Sequence, residues 1–372
     1  MSRSTQDEYK HTRFEGIFLD GISRLDEIYA DFDNKVLLHA GPPFDSSEIP
    51  VPVRNAAINA VLFEKLANTS EQADDLINSG KIDLQPAQDW NVTTPLAQVV
   101  SASMPLFVIS CGENRTYAPL LESSPPALRF GSPDLVCLDN LRLHESFAQT
   151  ELVKALKQNP VCISTLIRTA LSEGNECHSL TDRANAALFD QFLGLSDEYR
   201  DLLARTPGFV LPVVMGACGY LLKQGKGLVE AVGGNGQHFG VRLKTYPEWL
   251  TIPATAPIGC RFKGKEDQPA LPAIGDSAVI DFCGLGGQAL ESAPALVEEW
   301  QELLPENWAN RSESVLDPDT GQVCPFRVNR HQTPPIINLA IVGAGFQGGI
   351  LGKGFYQPDL GLFREIEARI TS

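Results

Sequence analysis

"IGDSAVIDFCGLGGQAL", residues 274–290, decides how the C-terminal half of this chain is read. An apolar run carries Asp276 and Asp281 and then meets Gly284, Gly286 and Gly287. Its pattern predicts a buried strand "SAVIDFC", a glycine turn and a following helix. Such a turn has two readings. Glycine permits positive φ and close backbone packing. It also lets successive N–H groups point together, and a helix start adds partial positive charge, so the turn can cradle a phosphate or carboxylate. Both readings stay open at this point. Asp276 and Ser277 stand at the entrance of the run, where Asp276 either orients a turn through its own side chain or acts as a base.

Outward from this stretch the chain alternates in character. "KVLLHAGPPF" (35–44) predicts a strand stopped by Gly-Pro-Pro. "VPVRNAAINAVLFEKLA" (51–67) has helical spacing with Pro52 early, where proline is tolerated. "SEQADDLINSG" (70–80) predicts a helix capped by Ser70 and ended by Gly80. "ASMPLFVISC" (102–111) is β-rich, and "ALRF" (127–130) is a short extended piece within a loop. From about 138 to 224 the mixtures repeat at helical period, and from about 227 strands and glycine turns return around the amphipathic "APALVEEWQELL" (293–304). The expected fold is α+β: an N-terminal arm (1–34), a first α/β part (35–137), a helical subdomain (138–226) and a second α/β part (227–372).

Bulk properties narrow the function. The 372 residues are 43% hydrophobic and 20% charged, a soluble globular composition. A net charge of −16 argues against a nucleic-acid surface and against an anionic membrane, both of which need clustered Lys and Arg. A small anionic or amide substrate remains compatible, because a local pocket can oppose the global field. Eight widely spaced cysteines without a C-x-x-C pair read as reduced thiols of a cytoplasmic protein, with no zinc site. "VGAGFQGG" (342–349) imitates a dinucleotide fingerprint, but no helix pattern follows, so nicotinamide binding is not expected and no cofactor is assigned. No metal is expected either.

The candidate site residues are polar groups stranded in apolar, glycine-punctuated segments. "LSEGNECHS" (171–179) gathers Asn175, Glu176, Cys177 and His178 at a helix end. A Glu–His pair can pass a proton at neutral pH, so Glu176 and His178 are the candidate catalytic pair; the other reading is a capped, hydrogen-bonded junction between helices. Arg129 in "ALRFGS" suits bidentate recognition of carboxylate or phosphate, or else an internal ion pair. His238 in "GNGQHFGVRL" can donate to a carbonyl that gains negative charge, or be a satisfied core residue. Arg129, Asn175, His238, Asp276, Ser277 and the amides of Gly284, Gly286 and Gly287 make up the expected substrate-binding set.

The ordered segments "LLHAGPP", "SMPLFVIS", "ALRFGS", "LSEGNECHSLTDRANAALF", "GNGQHFGVRL", "IGDSAVIDFCGLGG" and "PPIINLAIVGAG" together resemble the AllG (YlbE-like) family over about residues 35–358. The resemblance implies a subunit of an oxamate (oxalurate) carbamoyltransferase, working beside FdrA-like and AllH-like subunits, with carbamoyl transfer between oxamate nitrogen and phosphate. A homo-oligomer is also expected. The chain departs from the family pattern in three places. An N-terminal Rossmann-like segment is largely missing before residue 35. A His-rich stretch is replaced by "LQPAQDWNVTTPLAQ" (84–98). A family "GIAHK" is replaced by "NLAIVGAG" (338–345). These departures leave open a non-catalytic scaffold or metabolite-binding subunit, or a family member that acts on another amide or amine.

Overall fold

The computed structural model describes residues 10–45 and 48–371. Within the expected N-terminal arm, β1 (Phe18–Ser23) is an interior strand of a sheet. β2 (Val36–His39) and β3 (Asp83–Pro86) pair in parallel, and between them run the helices Val51–Phe63 and Ser70–Asn78. Parallel strands need such a crossover, because a tight turn cannot return the chain in the same direction. Pro52 occupies the first helical turn. Thr69, not the expected Ser70, caps the second helix by accepting the Gln72 N–H at 3.3 Å.

β4 (Leu106–Cys111) and β5 (Asn114–Pro119) form a hairpin, and β6 (Val161–Cys162) completes an antiparallel sheet in the order β5-β4-β1-β6. Successive residues of β4 enter two different apolar clusters, Phe107 and Ile109 one and Leu106 and Val108 the other, so the strand is covered on both faces. Leu19, Phe107, Ile109 and Ala118 are shut from solvent and point toward the helix Leu211–Gln224 and its neighbours. Gly216 of that helix lets the sheet approach: a Cβ there would stand 2.6 Å from Ile109 Cδ1.

Helices Val136–Phe147, Ile163–Ser172, Asp182–Gln191 and Asp197–Ala204 precede Leu211–Gln224, in the region where the period predicts helices. β7 (Val229–Asn235), β8 (His238–Leu243), β9 (Tyr246–Pro253), β10 (Ile258–Arg261) and β11 (Ile274–Gly275) follow. β12 (Ile337–Val342) and β13 (Ile350–Tyr356) form a hairpin, so "VGAGFQGG" is its loop rather than a helix entry. The two sheets have the orders β11-β7-β8-β9 and β10-β13-β12. The fold is mixed α+β, with one apolar cluster reaching from Phe14 to Ile370.

Two local expectations are corrected. "SAVIDFC" is not a strand: Ala278–Phe282 is a short helix, fully buried, followed by a 3-10 turn at Gly286–Gln288. "ALRF" is not extended, since Leu128–Phe130 forms a 3-10 turn ended by Gly131 at φ +66°. Both segments are buried on every side, so neither leaves a polar face from which a period could be read.

Candidate active site

The site is built around the quoted stretch. Asp281, on the helix Ala278–Phe282, is fully buried. One of its oxygens, Oδ1, accepts the N–H of Gly287 at 2.7 Å and that of Asn338 at 3.1 Å. Its other oxygen lies 2.9 Å from Nδ1 of His178. With Oδ1 already facing two donors, the arrangement puts the imidazole proton on Nδ1 and leaves Nε2 as the nitrogen that can take or give a proton.

This geometry answers the question posed by the glycines. The bend does hold a carboxylate, but one from its own stretch. Gly287 donates to Asp281, Gly286 donates to the carbonyl of Glu176 at 2.8 Å, and Gly284 donates to the carbonyl of Asp281 at 3.1 Å. Gly286 has φ +51°, and a Cβ on it would stand 2.3 Å from Asp281 Oδ1. Glycine is therefore required there so that the chain can close over the carboxylate.

Glu176, two residues before His178, has both oxygens engaged. It accepts the N–H groups of Ser179 and of Leu180, the latter at 2.9 Å, and the side-chain amide of Asn338 at 2.8 Å. Burial pushes its carboxyl upward, and the hydrogen bonds from Leu180 and Ser179 pull it back. These bonds fix the loop that presents His178. Within it Cys177 adopts φ +72°, a conformation that non-glycine residues rarely take. Asn175 has a similar supporting place: its Oδ1 accepts the Arg183 N–H at 2.8 Å in the first turn of the next helix.

A cavity of about 780 Å³ opens beside this cluster. Arg129, His178, Ser277 and Lys353 lie on its wall. Arg129 is 5% exposed and donates one bond, from Nη1 to the carbonyl of Ser123 at 2.7 Å. Burial pulls its guanidinium downward and the neighbouring Glu122 raises it again. Ser277 is buried, and its Oγ has no hydrogen-bond partner among the described residues. Leu96, also on the wall, is like Cys177 a non-glycine residue with left-handed backbone, at φ +46°. Strained residues of this kind concentrate at functional sites because the surrounding structure must hold them there.

Asp276 lies behind the cavity. Its carboxylate accepts the N–H groups of Gly41 and Thr94, each at 2.9 Å, and the side-chain amide of Gln88 at 2.6 Å. Burial pushes this carboxyl up to about 7, against the pull of those donors. It ties Gly41, Gln88 and Thr94 to a residue roughly two hundred positions along the chain. His238 stands apart from the cavity; its Nε2 is 3.4 Å from Asp45 Oδ2 at the end of β8.

The structure thus brings Arg129, His178 and Ser277 together on one wall and sets Glu176, Asn175, Asp276 and the glycines behind it. Among the wall and support residues outside the expected set are Asp281 and Lys353. Asp281 was visible as a charge in an apolar run; Lys353 had only its proximity to the glycine loop. The two stretches that depart from the family pattern also meet here. Residues 84–98 supply Gln88 and Thr94 to Asp276 and Leu96 to the wall, and residues 338–345 supply Asn338 to Glu176 and Leu339 to the wall.

The model of the family described as oxamate carbamoyltransferase subunit AllG matches residues 82–277. Over 373 aligned residues the chain is 30% identical to oxamate carbamoyltransferase subunit AllG of Escherichia coli (strain K12), covering 90% of this chain and 88% of that protein. The chain belongs to the AllG family. The chain is also 26% identical to the uncharacterized protein YahG of the same organism, covering 93% of this chain and 81% of that protein. A crystal structure of a conserved protein of unknown function from Enterococcus faecalis V583 matches with a TM-score of 0.85 at 24% identity, covering 99% of this chain and 97% of that one. That likeness establishes the shared fold. The AllG-matched segment contains Arg129, His178, Asp276 and Ser277, whereas Asp281 and Lys353 lie beyond it. Among the described residues no helix is long and apolar enough to cross a membrane.

Proposed function

We propose that this AllG-family protein is an enzyme subunit that moves a carbamoyl group between an oxamate-like nitrogen and phosphate, in the cavity walled by Arg129, His178, Ser277 and Lys353. The observation that carries this reading is the Asp281-oriented imidazole of His178 lining the same cavity as two cationic side chains. The name borne by the Escherichia coli relative supports the reaction class.

In the direction that consumes a ureido acid, a phosphate oxygen adds to the carbamoyl carbon. The C–N bond then breaks, and the departing nitrogen takes a proton. Nε2 of His178 first takes the proton that the attacking hydrogen phosphate carries and then delivers it to that nitrogen; the reverse direction runs the same two transfers backwards. Asp281 keeps the other ring nitrogen protonated, so the imidazole is held in the tautomer the step needs. Arg129, with most of its N–H donors uncommitted to protein, and Lys353 hold the carboxylate and phosphate. The Ser277 hydroxyl donates to the carbamoyl oxygen as charge develops on it. Glu176 acts behind His178 as a positioning residue rather than as a second proton carrier. FdrA-like and AllH-like subunits are the partners of this reading, in a cytoplasmic assembly with further copies of the chain.

The test is phosphate-dependent release of oxamate from oxalurate, measured for the chain alone and co-purified with FdrA-like and AllH-like subunits. Turnover that falls about 10²- to 10⁴-fold in His178→Gln supports the assignment. Wild-type turnover in that variant removes it, and so does the absence of turnover in every assembly.

A further inference from the structure

The cavity is far larger than a two-carbon acid requires. At about 780 Å³ it lies in the upper part of the range that encloses drug-sized ligands. Much of its wall carries no charge. Past Asp182 and Asn185, which carry the polar end of one face, the helix Asp182–Gln191 offers Ala186 and Phe189 to it. Pro207 and Leu211 extend that wall, and Phe262 and Ile350 lie on the side of the β12–β13 hairpin. Phe262 remains 41% exposed. Aromatic and aliphatic surface held open in a concave site is costly in water and is relieved when an apolar group fills it. The charged and titratable groups, in contrast, are Arg129, His178, Asp182 and Lys353, and with the Ser277 hydroxyl they suffice for one carboxylate and one amide or carbamoyl group.

Resting on the carbamoyl-transfer reading above, we infer that the cavity takes an amide or N-carbamoyl acid that carries an apolar side group of several carbons, in preference to a two-carbon acid such as oxamate. The acid and carbamoyl ends meet Arg129, Lys353, Ser277 and His178, and the side group lies against Phe189, Leu211 and Phe262.

Calorimetric titration of the full chain in phosphate buffer tests this with oxalurate, oxamate and the N-carbamoyl derivatives of glycine, alanine, valine and leucine. Each buried methylene should tighten binding about fourfold, making the leucine compound on the order of a hundredfold tighter than the glycine compound. Phe189→Asp, checked for an intact melting transition, should cut that ratio about tenfold. A flat series, no binding by any member, or oxamate or oxalurate binding as tightly as the leucine compound would each overturn the inference. N-acetylleucine separates it from the reaction. If that compound matches N-carbamoylleucine, and no carbamoyl compound turns over with phosphate, the apolar pocket stands and the carbamoyl-transfer reading falls.

Discussion

Nδ1 of His178 and Oδ2 of Asp281 lie 2.9 Å apart, although 103 positions separate the two residues in the chain. The other carboxylate oxygen is fixed by the amides of Gly287 and Asn338, so Asp281 has little freedom to leave the imidazole. Rigid support of this kind is what a proton-transferring histidine needs.

Asp281→Asn tests that support directly. The amide oxygen can still accept from Gly287 and Asn338, while its NH₂ group turns a donor toward Nδ1 and forces the other tautomer. In the carbamoyl-transfer assay kcat should fall about 10²- to 10⁴-fold. The melting temperature should stay near that of wild type, and KM should change little. A variant with undiminished kcat would show that the pair has no part in turnover.

Glu176→Gln should act on stability. The carboxylate accepts from Ser179, Leu180 and Asn338, and a glutamine NH₂ would face one of these donors. Denaturant unfolding should show a loss of about 1–3 kcal/mol. Adding Cys177→Gly relieves the left-handed strain in the same loop and should restore about 1 kcal/mol. If the two changes simply add as losses, the loop does not carry the strain assigned to it.

Gly286→Ala places a Cβ 2.3 Å from Asp281 Oδ1 and 3.1 Å from His178 Cβ, at a residue with φ +51°. The expected cost is at least about 1–3 kcal/mol. Gly345→Ala, where no atom lies within 4 Å of the added Cβ, is the control and should stay within about 0.5 kcal/mol. Equal melting curves for the two variants would contradict the close approach described for Gly286.

Asp276 gives a pH dependence. Burial raises its carboxyl from 3.8 to about 7 in the folded chain. A folded-state value above the unfolded one means that its contribution is full at acid pH and is lost as pH rises through about 7. Relative to Asp276→Asn, the wild-type unfolding free energy should therefore decline between about pH 4 and about pH 7, by at most about 4 kcal/mol. The variant itself should be less stable by about 1–3 kcal/mol at acid pH, since its NH₂ meets the donors of Gly41, Thr94 or Gln88. Parallel stability curves for the two proteins would rule out titration of Asp276 in this range.

Local pattern made much of the architecture legible. Val51–Phe63, Leu211–Gln224, β2, β4 and β12 stand where apolar spacing, prolines and glycines indicate. Arg129, His178 and Ser277 could be singled out because polar side chains in apolar surroundings are uncommon and need a partner or a task. Asp281 stood in the stretch that posed the question, yet nothing in the sequence joined it to His178.

Local chemistry alone thus determined the mixed α+β character, most helix and strand positions, and a short inventory of residues able to do chemistry. Only the tertiary structure decided that Ala278–Phe282 is a helix, that the glycine bend closes on Asp281, and that Lys353 and Phe262 line the same cavity as His178. The reason is physical. A segment buried on all sides has no polar face to reveal its period, and hydrogen bonds between residues a hundred positions apart depend on how the sheets and helices pack, which no local spacing encodes.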